Sequence, residues 1–137
     1  MNFQGLERQV GNMTNYQIGD FLIRLKNAGM AGIKEVTFFK SNMVLDVAKT
    51  LKSEGFVESI IEDKKTITVK LAIFNKKPVL SNIKIVSRPG LRIYMNVDEI
   101  ESYKKPDVLI LTTPKGIMSG TKAKKERVGG ELIAKII

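Results

Sequence analysis

The 137 residues include no cysteine, no histidine and no tryptophan. Without cysteine there are no disulfides, thiolate metal sites or cysteine nucleophiles. Without histidine, the usual general base and the commonest metal ligand are gone as well. No apolar run approaches the ~20 residues that a bilayer requires. The opening "MNFQGLERQVGN" is polar and carries no signal-peptide apolar stretch, so the expected location is cytoplasmic. Acid is scarce too, with 14 Asp and Glu against 23 Lys and Arg, a net charge of +9. Such an excess says little about fold but favours a polyanionic partner, either nucleic acid or an anionic membrane face.

Hydrophobic residues make up 43% of the chain, enough for a packed core in one domain or in two small lobes sharing cores. Residues 1–12 show no clear period and are expected to be a disordered extension. Order is expected to begin at "TNYQ", where Thr14 and Gln17 have capping-box spacing. Ile18, Phe21, Leu22 and Leu25 then form one stripe on a helix of about three turns. "EVTFF" reads as a short strand. Ser41 is placed to cap a second helix with Val44, Val47, Ala48 and Leu51 on one face, and Gly55 to stop it. "FVESII" and "TITVKLAI" flank the polar turn "EDKK" as a hairpin.

The Lys76 to Pro78 break is the candidate boundary between an N-terminal lobe, 13–77, and a C-terminal lobe, 78–137. The second half reads as strands "NIKIVS", "RIYMNV", "DVLILTT" and "ELIAKII". "RPGL" suits a type II turn with Pro89 and Gly90 at its centre. "DEIESYK" has room for a helical turn, and a short helix is expected from about Gly120 to Arg127, capped by Ser119. The sum is an α+β protein: an N-terminal α-β-α-β-β lobe, then a β-rich lobe with a short helix.

The chemically loaded stretch is "TTPKGIMSGTKAKKERVGGE", residues 112–131. It reads as a loop leaving an apolar strand and entering a short helix, where free N–H groups suit phosphate oxygens. Thr112, Thr113 and Ser119 bring hydroxyls, Gly116 allows close approach, and Lys115, Lys122 and Lys124 bring charge. From Lys115 onward there are six Lys or Arg against two Glu, a net of +4. A solvated loop with ordinary caps is the plainer reading. A P-loop is excluded because no Gly-Lys-Ser/Thr occurs. A threonine nucleophile served by Lys115 needs a desolvated lysine, and nothing apolar brackets this one. Glu131, a carboxylate in basic surroundings, has two readings. It either holds the turn through N–H groups and lysines, or accepts from a base amino group and gives specificity. Arg88 and Arg92 flank the Pro-Gly turn, with Tyr94 at same-face spacing from Arg92. Together they suit phosphate contact and base stacking, or ordinary cross-strand packing.

Taken together, "IGDFLIRLKNA", "LKSEGF", "VSRPGLRIY" and the 112–131 stretch resemble, in order and spacing, the bacterial small-subunit ribosomal protein S-eight family. The resemblance covers about Thr14 to Ile137. It implies a two-lobe α+β structural protein of the small subunit that binds the central domain of its rRNA early in assembly. It implies no catalysis, no cofactor and no small-molecule substrate. Neighbouring small-subunit ribosomal proteins are the other implied partners. Carried over residue by residue, RNA contact falls to Thr112, Thr113, Lys115 and Gly116, with Glu131 helping to shape or read the RNA. Arg88, Arg92 and Tyr94 lie near it. Arg24, Lys26 and Lys34 resemble the part that reaches a second rRNA segment. The chain departs from the family pattern at Thr112 and Pro114, where serines are usual, and at Arg127, where glycine is usual. The competing class is a basic protein-binding or assembly-chaperone module. A membrane-surface role lacks a helix pairing a broad basic face with Trp or Phe anchors.

Overall fold

The computed structural model describes residues 10–80 and 82–137, with side chains from Gln17 onward. The first helix, α1, runs Val10–Ala31, 22 residues. That is about six turns, not three. Thr14 lies inside it, so the expected capping box does not start the helix. The apolar stripe marks what α1 buries, and backbone i→i−4 bonds continue beyond it wherever no proline intervenes. Of the expected extension, residues 10–12 are helical and 1–9 lie outside the described residues.

Strand β1 (Glu35–Phe39) and helix α2 (Asn42–Ser53) follow. Ser41 caps α2 as expected, accepting from the Val44 N–H at 3.2 Å. At the other end Phe56 N–H donates to Leu51 O at 2.9 Å, and Gly55 N–H to Lys52 O at 3.1 Å. With Gly55 at φ +89°, this is the Schellman closure its position suggested. Strands β2 (Val57–Glu62) and β3 (Thr66–Leu71) form the expected hairpin. All three strands are antiparallel in the order β1-β3-β2.

A two-residue hairpin, β4 (Ile73–Phe74) with β5 (Lys77–Pro78), sits where the boundary was expected. Its turn holds Asn75 and Lys76 at φ 53° and 68°. The second sheet contains β6 (Ile83–Ile85), β7 (Tyr94–Met95), β8 (Val108–Thr113), β9 (Gly116–Ser119) and β10 (Gly130–Ile136). Its order is β9-β8-β10-β6, with β7 also pairing β10. Helices α3 (Val97–Glu101) and α4 (Gly120–Glu126) complete the chain. Asn96 and Glu99 form a capping box on α3, which shortens the expected "RIYMNV" strand to two residues.

Strands β8 and β10 are buried or half-buried at every position because both faces of their sheet are covered. One face joins the α1, α2 and β1-β3-β2 residues in the larger core, through Ile83, Ile110, Ile133, Ala134 and Ile136. The other face packs Leu109, Leu111, Met118 and Leu132 against Ile100 of α3 and Ala123 of α4. Leu132 and Ala134 pair consecutive residues of β8, so a bulge falls at Ile133. The bulge lets Ile133 and Ala134 both serve the larger core.

Gly55→Ala tests the closure of α2. No atom lies within 4 Å of the added Cβ, so only backbone strain opposes it. The expected loss is about 1 kcal/mol in denaturant unfolding. An unchanged midpoint would show that the positive φ is not required.

Candidate nucleic-acid interface

The stretch expected to be an open loop is a hairpin. β8 and β9 pair from Ser119↔Ile110 to Gly116↔Thr113, leaving Pro114 and Lys115 at the tip. Thr113 closes this turn with its own side chain. Its hydroxyl donates to Gly116 O at 2.8 Å and accepts from Lys115 N–H at 3.1 Å. The turn therefore stands preformed, with Pro114 adding a fixed φ at the tip. "GIMS" escaped notice as a strand because four residues between a turn and a helix carry little periodicity. The Pro-Lys-Gly turn chemistry between two apolar runs was the available signal.

β10 runs between β8 and β7, and the registers Ile117↔Thr112, Glu131↔Thr112 and Glu131↔Tyr94 set four residues in one row across the sheet. Paired residues of antiparallel strands share a face, so Ile117, Thr112, Glu131 and Tyr94 point the same way. Tyr94 is 64% exposed, whereas Glu131 is 8% exposed. Arg92 lies with its guanidinium 3.6 Å from Glu131 Oε1. One partner of this carboxylate is thus an arginine of the segment after the Pro-Gly turn. With its charge countered in place, it opposes an incoming polyanion less. Beside it, Thr112 Oγ1 is buried without a hydrogen-bond partner, an arrangement that costs roughly 1–3 kcal/mol while unmet.

The row closes only because two glycines, Gly129 and Gly130, lead the chain into β10. A Cβ on Gly130 would collide with Thr112 O, and one on Gly129 would stand 2.5 Å from Met95 O. The Pro-Gly turn is held from the other side. Arg88 and Leu91 exchange backbone bonds at 3.0 and 2.9 Å around Gly90 at φ +88°, the expected type II geometry. Ser87 braces that turn to the sheet. Its buried hydroxyl donates to Leu132 O at 2.6 Å and accepts from Ile93 N–H at 3.0 Å. Sequence reasoning missed this serine because a buried polar residue has no periodic signature; its place just before Arg-Pro-Gly was the only cue.

The remaining candidates divide. Lys115 and Gly116 are exposed at the hairpin end, next to the row. The Lys115 ammonium lies 3.4 Å from Glu126, a solvent-exposed pair of little energetic weight. Thr113 and Ser119 are buried, and their hydroxyls bond internally, Ser119 accepting from Lys122 N–H as the α4 cap. Lys122 and Lys124 are exposed on α4, which covers the opposite face of the sheet. Arg88 is exposed at the Pro-Gly turn, outside the row. α4 ends on Arg127 at φ 55°, ψ 50°, left-handed in spite of its side chain, with its guanidinium 3.7 Å from Glu101. In the first half, Arg24 lies 5.5 Å over the Phe38 ring and donates to Thr37 O at 3.4 Å. Among the described residues no acidic cluster is arranged to hold a metal ion.

The family model for ribosomal protein S8 matches residues 16–137. The chain belongs to the ribosomal protein S8 family. A curated relative from Mesoplasma florum, small ribosomal subunit protein uS8, is 40% identical over 126 residues. That match covers 89% of this chain and 98% of the relative. Proteins of the same name from Nitratidesulfovibrio vulgaris (strain DP4) and Legionella pneumophila (strain Lens) are each 39% identical. Both matches cover 87% of this chain and 95% of the relative. Family membership makes the chain a structural ribosomal component rather than an enzyme, in keeping with the turn-closing role of Thr113.

Gly130→Ala tests the close approach of β10 to β8. Either strand must move to admit the methyl group, and the expected loss is about 1–3 kcal/mol by thermal or denaturant unfolding. A variant as stable as the parent would mean that the two backbones are not held this close.

Proposed function

We propose that the chain is a structural constituent of the small ribosomal subunit that binds the central domain of its rRNA directly and helps that domain assemble. The observation carrying this reading is the joining, at one end of the C-terminal sheet, of a self-closed hairpin tip bearing Lys115 to an exposed Tyr94 beside the Arg92/Glu131 pair. Preformed turns lose little entropy on binding, which suits an irregular but rigid RNA target. Tyr94 offers a ring face for an unpaired base, and Arg92 offers donors fixed by Glu131. Thr112, with its unmet hydroxyl, lies within the same row.

The proposed contacts are Tyr94, Arg92, Lys115, Gly116 and the Thr112/Glu131 pair at the centre. Lys122, Lys124 and Arg88 add a long-range field from the flanks. Thr113 and Ser119 act by shaping the backbone, since their hydroxyls are already engaged. Adjacent small-subunit proteins complete the partner set.

The reading is tested by titrating protein-free small-subunit rRNA and a short central-domain fragment across a salt series. Tyr94→Ala is expected to weaken fragment binding by about 1–3 kcal/mol, the usual worth of one stacked base. Lys115→Ala is expected to lower the slope of log affinity against log salt by nearly one unit, because one phosphate fewer is neutralised. Equal affinity for the fragment and for generic duplex would defeat the specific form of the proposal. If both variants bind like the parent, the interface lies elsewhere on the chain.

A further inference from the structure

Helices α2 and α4 close in the same way, but only α2 ends on glycine. In α2, Gly55 N–H donates to Lys52 O and Phe56 N–H to Leu51 O. In α4, Arg127 N–H donates to Lys124 O and Val128 N–H to Ala123 O, both at 3.2 Å. Each closure needs a left-handed residue at its first position, and α4 sets an arginine there at φ 55°. For a residue with a β-carbon this backbone is strained, because Cβ crowds the following carbonyl oxygen. The protein's own contacts do not offset that strain. Among the described residues the guanidinium meets one carboxylate, Glu101, at 3.7 Å, beyond hydrogen-bond length. The two side chains are 76% and 39% exposed, and a surface pair of this kind stabilises less than the left-handed backbone costs. Backbone strain kept in this way gathers at ligand clamps and other functional positions.

Arg127 also stands at the end of the sheet that carries the row. Two residues on, Gly129 runs against Met95 and Asn96, and Glu131 pairs Tyr94. Four residues of chain span at most about 14 Å, so Arg127 lies within that distance of Glu131. It belongs to the α3 and α4 side of the sheet, whereas the row faces the other side. We infer that Arg127 is a phosphate-binding residue, gripping the backbone of an RNA strand that passes from the row around this end of the sheet. The inference rests on the proposed function and adds to it a contact on the reverse side. A guanidinium presents a planar fork that takes two phosphate oxygens at once, which an ammonium does not. Exposed Lys122, Lys124 and Lys125 on the same helix keep the local field positive for an incoming strand. On binding, the guanidinium leaves Glu101 for phosphate, an exchange that the length and exposure of the pair make easy.

The test compares Arg127→Gly, Arg127→Lys and Glu101→Gln with the full parent chain. Each is measured by thermal unfolding and by titration of the central-domain rRNA fragment across a salt series. Arg127→Gly is expected to melt above the parent, since its backbone strain is relieved. It is nevertheless expected to bind the fragment about tenfold more weakly. Its slope of log affinity against log salt is expected to fall by nearly one unit. Arg127→Lys keeps both strain and charge, so it is expected to melt like the parent, hold the salt slope and lose part of the affinity. Glu101→Gln is expected to bind at least as tightly as the parent. If Arg127→Gly binds like the parent, the arginine serves only as a strut between α3 and α4, and the inference is overturned while the RNA reading stands. A loss on Glu101→Gln equal to that on Arg127→Gly overturns it too, because the ion pair rather than the guanidinium would then matter. Failure of the parent itself to prefer the fragment over generic duplex overturns the RNA reading beneath.

Discussion

The structure depends on the approach of β10 to β8. β10 is buried on both faces, pairs β8 along one side, and pairs β6 and β7 along the other. At its start, Gly130 comes so near Thr112 O that no side chain fits. This approach sets the row that runs from Ile117 through Thr112 and Glu131 to Tyr94. Any side chain at Gly130 would part the strands where the hairpin tip, the arginine pair and the tyrosine meet. Burial favours the pairing and glycine permits its closeness, so the core and the proposed interface share one cause.

Rigidity follows from small polar devices around that meeting of strands. Thr113 ties off the hairpin tip, Ser119 caps α4, and Ser87 pins the Pro-Gly turn to β10. Each hydroxyl satisfies backbone groups that a turn or helix start would otherwise leave to water. The exposed groups nearby, Lys115 and Tyr94, are carried on backbone that is already fixed. Such a division, with buried hydroxyls shaping the backbone and charge and ring left exposed, suits the proposed binding of a partner that is itself folded. The two faces of the sheet also take different loads. One completes the larger core with α1 and α2; the other is closed by α3 and α4, and the lysines of α4 spread positive charge over the reverse side.

Much of this was legible in the residues. Helical spacing in α2, the Ser41 cap and the Gly55 stop reported local physics, and local physics held. The Pro-Gly turn and the α4 cap at Ser119 did so too. The start of α1 was misplaced because an apolar stripe reports burial, while helix length is set by backbone bonding that exposed residues also sustain. β9 was missed since four residues cannot establish a period of two. The candidate hydroxyls were all noticed, but their direction was not readable. Thr113 and Ser119 turned inward, and Glu131 proved to pair with Arg92, which lies far earlier in the chain.

The sequence by itself pointed to a polyanionic partner, through net charge, and excluded thiol and imidazole chemistry, through composition. Most of the elements in their order and, through ordered motifs, the family were legible there too. Such properties are additive or local, so no folding is needed to read them. Only the tertiary structure decided which residues share a face, which hydroxyls are engaged, and which strands lie side by side. Those facts depend on strand register and on the meeting of segments distant in the chain. A shift of one residue in register reverses every side chain on a strand, so composition and spacing alone could not settle them.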